Sequence, residues 1–321
     1  MSDMGSGPPG GDTPTCEIGL AIQADLLTAD GTDLAAFGRA VLDAGLGYVS
    51  IGDHVSHRGG QGLDGIVAAT ALLAAQPRLR VVVGAYQLAL RHPFVVARQL
   101  ATLTALAPRR LILAVGAGGD DRREVLNCGV DPRTRGDRLN ESIALLHRLL
   151  AGENVDHHGT HFDLEQAFIS DGGPPPDLVV AGRGEAASKR AARFGTGWLG
   201  LLVTPGRYHE MRTSVVAEAE ALGRPTPTWF GLNVWCAPAE NERESRERLA
   251  ESLTRSFGSA ADRALRYCGV GDTTKIASWL AGYVHAGAAH LSLTVPARHA
   301  EEAVERAHSL ATALAEHVQS P

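Results

Sequence analysis

The sequence is short of the features that mark several protein classes. Its 321 residues hold only four cysteines. Cys16, Cys128, Cys236 and Cys268 lie far apart, with no C-x-x-C and no His/Cys pairing at zinc-ligand spacing, which excludes a disulfide scaffold and a cysteine-based zinc site. They read as small buried hydrophobes in a reducing compartment. Positive charge is also scarce: 30 Lys and Arg against 36 Asp and Glu leave a net charge of −6 and a pI near 6.1, so no nucleic-acid partner is expected. No apolar run nears the ~20 residues that span a bilayer, so no membrane role is expected either. Residues 1–15 have neither a basic start nor an apolar stretch and read as a disordered leader, not a signal peptide, which makes the expected location cytoplasmic. No internal repeat is present.

What is there is a core-forming composition, 44% hydrophobic and 21% charged, enough for one large domain over residues 16–321. Short apolar runs alternate with helical patterns along its length. Glu17–Ile22, Gly47–Ile51, Leu79–Gly84, Arg110–Gly116, Asp177–Ala181, Gly197–Val203, Thr228–Cys236 and His290–Val295 are predicted strands. Between them fall helices, among them Asp33–Gly45, Leu63–Ala75, His92–Leu106 with Pro93 at its start, and Arg135–Leu150. Two stretches interrupt the alternation: a polar hairpin over Asn154–Leu164 turning at Gly159, and a charged helical insertion over Asn241–Tyr267 after the seventh strand. Eight strands with helices behind them predict a (β/α)8 TIM barrel; an open doubly wound sheet is the alternative.

A barrel of this kind carries its chemistry where strands end. Asp53-His54 follows the second strand, and a histidine beside a carboxylate there is suited to exchange a proton near neutral pH, although an ordinary loop would also accept it. His57 and Arg58 follow in a glycine-rich loop that could meet substrate or simply face solvent. The third strand runs on into Ala85-Tyr86-Gln87, small and apolar enough to wall a planar ring, although core packing alone explains it equally well. The fourth ends Gly116-Ala117-Gly118-Gly119 before Asp120 and Asp121, either a small-residue floor or a simple tight turn; two acids make it a poor pyrophosphate loop. The fifth ends Ala181-Gly182-Arg183-Gly184 and opens a helix. Free N–H groups, the positive helix end and Arg183 together suit one phosphate there, and no acid ends the next strand to hold the ribose of a dinucleotide. His157, His158 and His161 suggest a metal at first sight, yet a solvated turn explains them better, so no metal is expected. Glu240–Arg248 reads as a solvated helix face with i,i+4 ion pairs.

Laid out in this order, the segments resemble the bacterial-luciferase-like family of flavin- and F420-dependent oxidoreductases. The markers are GYVSIGDH around His54, LRVVVGAYQLALRHPFVVARQLATL, RRLILAVGAGG, RGDRLNESIALLHRLLAGENVDHHGTHF with its hairpin, and PPPDLVVAGRGEAASKRAARFGTGWL. The resemblance implies coenzyme F420, or FMN, across the barrel mouth with its phosphate near Gly182–Gly184. It also implies a bulge within Ala85–Leu88, often with a non-proline cis peptide, pressed against the ring. Asp-His at 53–54 matches the F420 members, where FMN members more often have Glu-His. The implied activity is hydride transfer between F420 and a small enone, imine, alcohol or carbonyl, with His54 oriented by Asp53. The alternatives are an FMN-dependent monooxygenase and a barrel that binds cofactor without turnover. A flavin or F420 reductase would supply the cofactor, and a homodimer is compatible with the alanine-rich helices. Three departures stand out. The family's glucose-6-phosphate dehydrogenases have Glu where this chain has Gly119 and Trp where it has Arg58, so that sugar phosphate is not supported as substrate; Asp120 or Asp121 is a candidate to replace the missing acid near the substrate. The Asp usual before Gly-Trp is Thr196 here.

Overall fold

A computed structural model describes residues 16–119 and 121–319. The leader and Asp120, expected near substrate, lie outside the described residues.

Eight parallel strands close on themselves: β1 (Glu17–Ala21), β2 (Tyr48–Ile51), β3 (Val81–Tyr86), β4 (Leu111–Val115), β7 (Asp177–Ala181), β8 (Gly197–Leu201), β9 (Trp229–Pro238) and β11 (His290–Thr294). Their order is β11-β1-β2-β3-β4-β7-β8-β9, and β9 pairs back to β11, so the barrel is complete and the open sheet is excluded. All eight predicted strands are present. The predicted hairpin is β5 (Val155–His158) with β6 (Asp163–Ala167), closed by Gly159 N–H donating to the Phe162 carbonyl at 2.9 Å. Thr196, the departure before Gly-Trp, sits at the foot of the barrel, where its N–H meets the Leu178 carbonyl at 2.8 Å.

Strand periodicity sorts the side chains. Val82, Ile112, Ala114, Val179 and Leu199 meet Tyr48 and Trp229 inside the barrel. Their neighbours Val81, Val83, Leu113 and Val180 point outward to the helices in the larger core. The wall helices start where the sequence supplies caps. Asp33 accepts from Ala35 and Ala36 N–H at the head of α2 (Leu34–Asp43), and Asp64 does the same for Ile66 and Val67 in α3 (Gly65–Ala75). His92 and Pro93 open α4 (Pro93–Leu106), and α6 (Arg135–Leu150) stands as expected.

Two regions differ from the expectation. The insertion is not one helix: α9 (Glu242–Phe257) stops at Gly258, whose φ of +52° breaks the spiral, and a short α10 (Ala261–Ala264) precedes β10 (Gly269–Gly271), an extra strand on the end of β9. The expected i,i+4 pairs Glu242–Arg246, Arg243–Glu247 and Glu244–Arg248 line α9. Two brief helices were not foreseen, α1 (Ala24–Leu27) and α5 (Arg122–Asn127), both in loops at the strands' C-terminal end. No helix among the described residues is long and apolar enough to cross a membrane.

Candidate active site

The C-terminal ends of the strands surround a cavity of about 660 Å³. Its floor is made by small residues: Gly84 and Ala85 of β3, Gly116 and Gly118 after β4, and Ala181 of β7. The peptide Gly84–Ala85 is cis, and the register with β4 slips between Gly84 and Tyr86, so the expected bulge is present and begins one residue early. A side chain at Gly118 would be doubly disfavoured: φ is +94°, and a Cβ would stand 3.1 Å from the Gln87 carbonyl oxygen Oε1.

His54 and Gln87 line the cavity, and the acid behind them is Glu124 from α5. Glu124 is almost fully buried. Its Oε1 accepts from the backbone N–H of Val55 at 2.7 Å and of Ser56 at 3.1 Å, and from Gln87 Nε2 at 3.1 Å. Its Oε2 lies 3.1 Å from His54 Nδ1. The protons of this network can be assigned. Gly119 N–H donates to Gln87 Oε1 at 3.3 Å, which fixes the amide's orientation. Gln87 Nε2 then spends its two hydrogens on the Asp53 carbonyl at 2.8 Å and on Glu124, so it has none for the imidazole 3.0 Å away. His54 Nδ1 therefore carries the proton and donates it to Glu124, and Nε2 is left as the basic nitrogen. Burial alone would push the Glu124 carboxyl up, but the N–H of Ser56, the imidazole of His54 and the N–H of Val55 together hold it below its ordinary value.

Asp53 has a different task from the one its sequence position implied. Its carboxylate makes two 2.8 Å bonds with the Arg91 guanidinium and accepts at 2.8 Å from the N–H of both Gly65 and Gln87. It thus ties the bulge to the start of α3 and does not orient His54. Burial pushes its carboxyl up, opposed by Arg91 and by the Gln87 and Gly65 N–H groups. Asp121, one of the two candidates to replace the acid missing after the fourth strand, caps α5 instead, accepting from Arg123 N–H at 2.9 Å, and the carboxylate that reaches His54 is that of Glu124.

Other expectations divide along strand parity. Ala85, Gln87, Gly116, Gly118 and Ala181 line the cavity, but Tyr86 is buried beneath the Arg91 guanidinium at 4.4 Å and Ala117 packs against the outer core. Gly182, Arg183 and Gly184 follow Ala181 in sequence and are not among the residues that line the cavity. Trp198 Nε1 donates to the Gly182 carbonyl at 2.7 Å. Gly182 is needed there, since φ is +147° and a Cβ would meet that of Ala187 at 2.7 Å. Gly184 heads α7 (Glu185–Phe194) with no side-chain cap, beside the exposed Arg183.

His57 lines the cavity with its ring 4.2 Å from that of His54. Its Nε2 donates to the Ser256 carbonyl at 3.3 Å, and burial, aided by the nearby imidazole of His54, lowers its pKa. Arg58 is not a lining residue; it donates from its guanidinium to the Phe257 carbonyl at 3.1 Å and so caps α9. His54, His57 and Glu124 place ligand-type atoms within 4.8 Å of one another, a grouping already accounted for by these hydrogen bonds. On the hairpin, His157 pairs with Glu141 at 2.9 Å and His158 with Asp163 at 2.6 Å, so acids do stand beside these histidines, but different ones. Lining residues that the sequence reading missed include Gln23, Asn233, Trp235 and Phe257.

A closed parallel barrel whose mouth joins a small-residue floor, a bulged third strand and a carboxylate-bound imidazole defines an enzyme-type site for a flat ligand. Residues 17–307 match the luciferase-like monooxygenase family, and the chain belongs to it. It is 31% identical to an F420-dependent glucose-6-phosphate dehydrogenase of Beutenbergia cavernae over 252 residues, 76% of this chain and 74% of that one. It is 26% identical to an F420-dependent hydroxymycolic acid dehydrogenase of Mycobacterium tuberculosis over 264 residues, 79% of this chain and 72% of the other. Among solved structures, an F420-dependent secondary alcohol dehydrogenase bound to an F420–acetone adduct superposes with a TM-score of 0.80 at 19% identity, over 94% of this chain and 99% of that one.

Proposed function

We propose that this chain is an F420-dependent oxidoreductase that transfers a hydride between the deazaflavin and a small organic alcohol or carbonyl compound. The observation that carries the reading is His54: Glu124 fixes its proton on Nδ1 and leaves the basic Nε2 on a ring that lines the same cavity as the bulge and the glycine floor. The cavity suits a flat cofactor. Its floor is closely packed at Gly84 and Gly116, where a Cβ would meet Leu199 at 2.8 Å and Ala85 at 3.3 Å respectively, so the wall there stays low. Asn233 Oδ1 is a buried acceptor with no partner in the cavity wall, as a bound N–H or O–H requires.

A bound deazaflavin supplies a ring carbon that takes or gives a hydride. The protein's own residues do the rest. Gly182 to Gly184, the head of α7 and Arg183 hold the cofactor's phosphate. Ala85, Gln87, Gly116 and Gly118 support the ring. His54 Nε2 takes the hydroxyl proton during oxidation or returns it during reduction, while anionic Glu124 stabilises the imidazolium so formed. A cytoplasmic enzyme supplied by an F420 reductase completes the reading, and a homodimer is compatible with it.

The test is a fluorescence titration of the purified protein with F420 and with FMN, followed by oxygen-uptake measurements with each reduced cofactor. F420 is expected to bind more tightly, with no oxygen consumed. Preference for FMN together with rapid oxygen uptake would replace this reading with a monooxygenase.

A further inference from the structure

The cavity has a second half, away from the glycine floor, that is walled by the β1–α1 loop, the loop after β2, and the end of α9. Gln23, Ile22, Leu63, Leu201, Trp235 and Phe257 line it. Trp235 and Phe257 form an edge-to-face pair with centroids 5.0 Å apart. The roof is latched by two bonds already described, from His57 to the Ser256 carbonyl and from Arg58 to the Phe257 carbonyl.

Among the described residues, charge in this half is nearly absent or already matched. Arg255 is the one lysine or arginine among the described lining residues, and Glu251 takes its guanidinium at 2.7 Å. Arg58 is spent on α9. Asp25 adds an exposed carboxylate to the wall, and the lowered pKa of His57 leaves it neutral at pH 7. A phosphate or carboxylate entering here would lose its hydration and find no free cation in return. The roof side chains instead offer two unpartnered buried acceptors, Gln23 Oε1 and His57 Nδ1, and one unpartnered buried donor, Trp235 Nε1. A hydroxyl can answer both kinds of group and a ketone the donor, whereas an anion reaches that same donor only at the cost of its hydration.

Resting on the F420-dependent reading above, we infer that the substrate is an uncharged, largely apolar alcohol or carbonyl compound whose body packs on Trp235 and Phe257, and that these two residues set specificity against phosphorylated sugars. In the oxidative direction the hydroxyl proton passes to His54 Nε2. The carbinol C–H leaves with its electron pair as hydride to the oxidised deazaflavin, and the C–O bond becomes C=O. The alcohol loses two electrons and the deazaflavin gains them. The enzyme would thus differ in substrate class from its relatives named for glucose 6-phosphate.

A matched pair isolates the charge. With F420-loaded enzyme, 1-phenylethanol and 4-(1-hydroxyethyl)benzoate differ by one carboxylate, and kcat/KM is expected to favour the neutral alcohol by ~30-fold or more, with glucose 6-phosphate inert. Binding is read separately, without turnover, from the quenching of tryptophan fluorescence by acetophenone and by 4-acetylbenzoate. Trp235→Ala should raise KM for 1-phenylethanol by roughly ten-fold and leave F420 affinity unchanged. Glu251→Gln, which frees Arg255 on an exposed part of α9, should narrow the discrimination against the carboxylate by about three-fold. Equal or better use of the carboxylate or of glucose 6-phosphate, with F420 bound, overturns the inference and leaves the oxidoreductase reading standing. If F420 does not bind, that reading fails, and the two ketones still decide the inference: tight binding of the neutral one alone supports it, and equal binding refutes it.

Discussion

The two ends of the barrel differ in what surrounds their polar groups. At the N-terminal end, Glu17 binds Arg80 at 2.7 Å and faces His290 at 3.2 Å, and the His290 ring stacks on Trp229 with centroids 4.6 Å apart. Tyr48 and Ser292 hydroxyls meet at 3.0 Å above Gly19, where a Cβ would collide with the Tyr48 ring at 2.3 Å. That end is filled. At the C-terminal end, buried polar atoms of Gln23, His57, Asn233 and Trp235 line a cavity without partners. At the closed end the polar groups left over, Trp229 Nε1 and His290 Nδ1, are enclosed by packed side chains, whereas at the open end they face a cavity that a ligand can enter. Substitutions should therefore separate cleanly, with rate lost at the top and stability lost at the bottom.

The largest expected effect is at the top. His54→Ala removes the proton acceptor and should lower kcat by ~10²–10⁴-fold. Thermal midpoint and F420 affinity should barely change, because the ring is partly exposed and belongs to the chemistry. A variant that kept wild-type kcat would remove His54 from the mechanism. The corresponding bottom variant is Trp229→Ala. It empties a buried site inside the barrel and should cost ~3–5 kcal/mol in chemical denaturation, with kcat per folded molecule preserved. If kcat fell in step with stability, the two ends would not be independent.

Glu124 sharpens the comparison, since it is a buried charge placed at the open end. Glu124→Gln should lower kcat by roughly 10–100-fold by removing the anion that stabilises the imidazolium, and Glu124→Asp should restore part of it. The pH dependence has a definite sign. The folded-state pKa of Glu124 is depressed, so its contribution to stability is complete above the ordinary carboxylate value. That contribution is lost as pH falls through the lower, folded-state value, and wild-type but not Glu124→Gln should lose it on acid titration.

Much of this contrast could be read from the sequence, and the rest fails for identifiable reasons. The eight strands, the hairpin and the interrupting insertion show themselves as local patterns of apolar residues and turn chemistry. His54 was legible from its place at a strand end. Its partner was not: Asp53 is adjacent in sequence, but consecutive residues leaving a strand face opposite sides, so Asp53 turned to Arg91 and His54 to a carboxylate seventy positions away. Tyr86 and Ala117 missed the cavity for the same alternation. Glu124 sits on a six-residue helix, RREVLN, with too few turns to show a period. Trp235 and Phe257 come together only because α9 folds back over β9, a contact between elements that no local pattern encodes.

The smallest effect is expected back at the closed end. Glu17 is held below its ordinary pKa, first by the His290 imidazole 3.2 Å away and then, against the opposing cost of burial, by Arg80. Its side chain is about one-third exposed, so solvent screens much of this attraction. Glu17→Gln should accordingly lower stability by only about 1 kcal/mol at neutral pH, roughly 2 °C in thermal midpoint. Because the folded pKa is depressed, the difference between wild type and variant should shrink as pH falls through it. Steady-state kinetics should not move, since Glu17 lies at the far ends of the strands from His54. A change in kcat from this exposed pair would mean that the lower end positions the upper one through the strands, and the separation between a filled end and a receptive end would have to be given up.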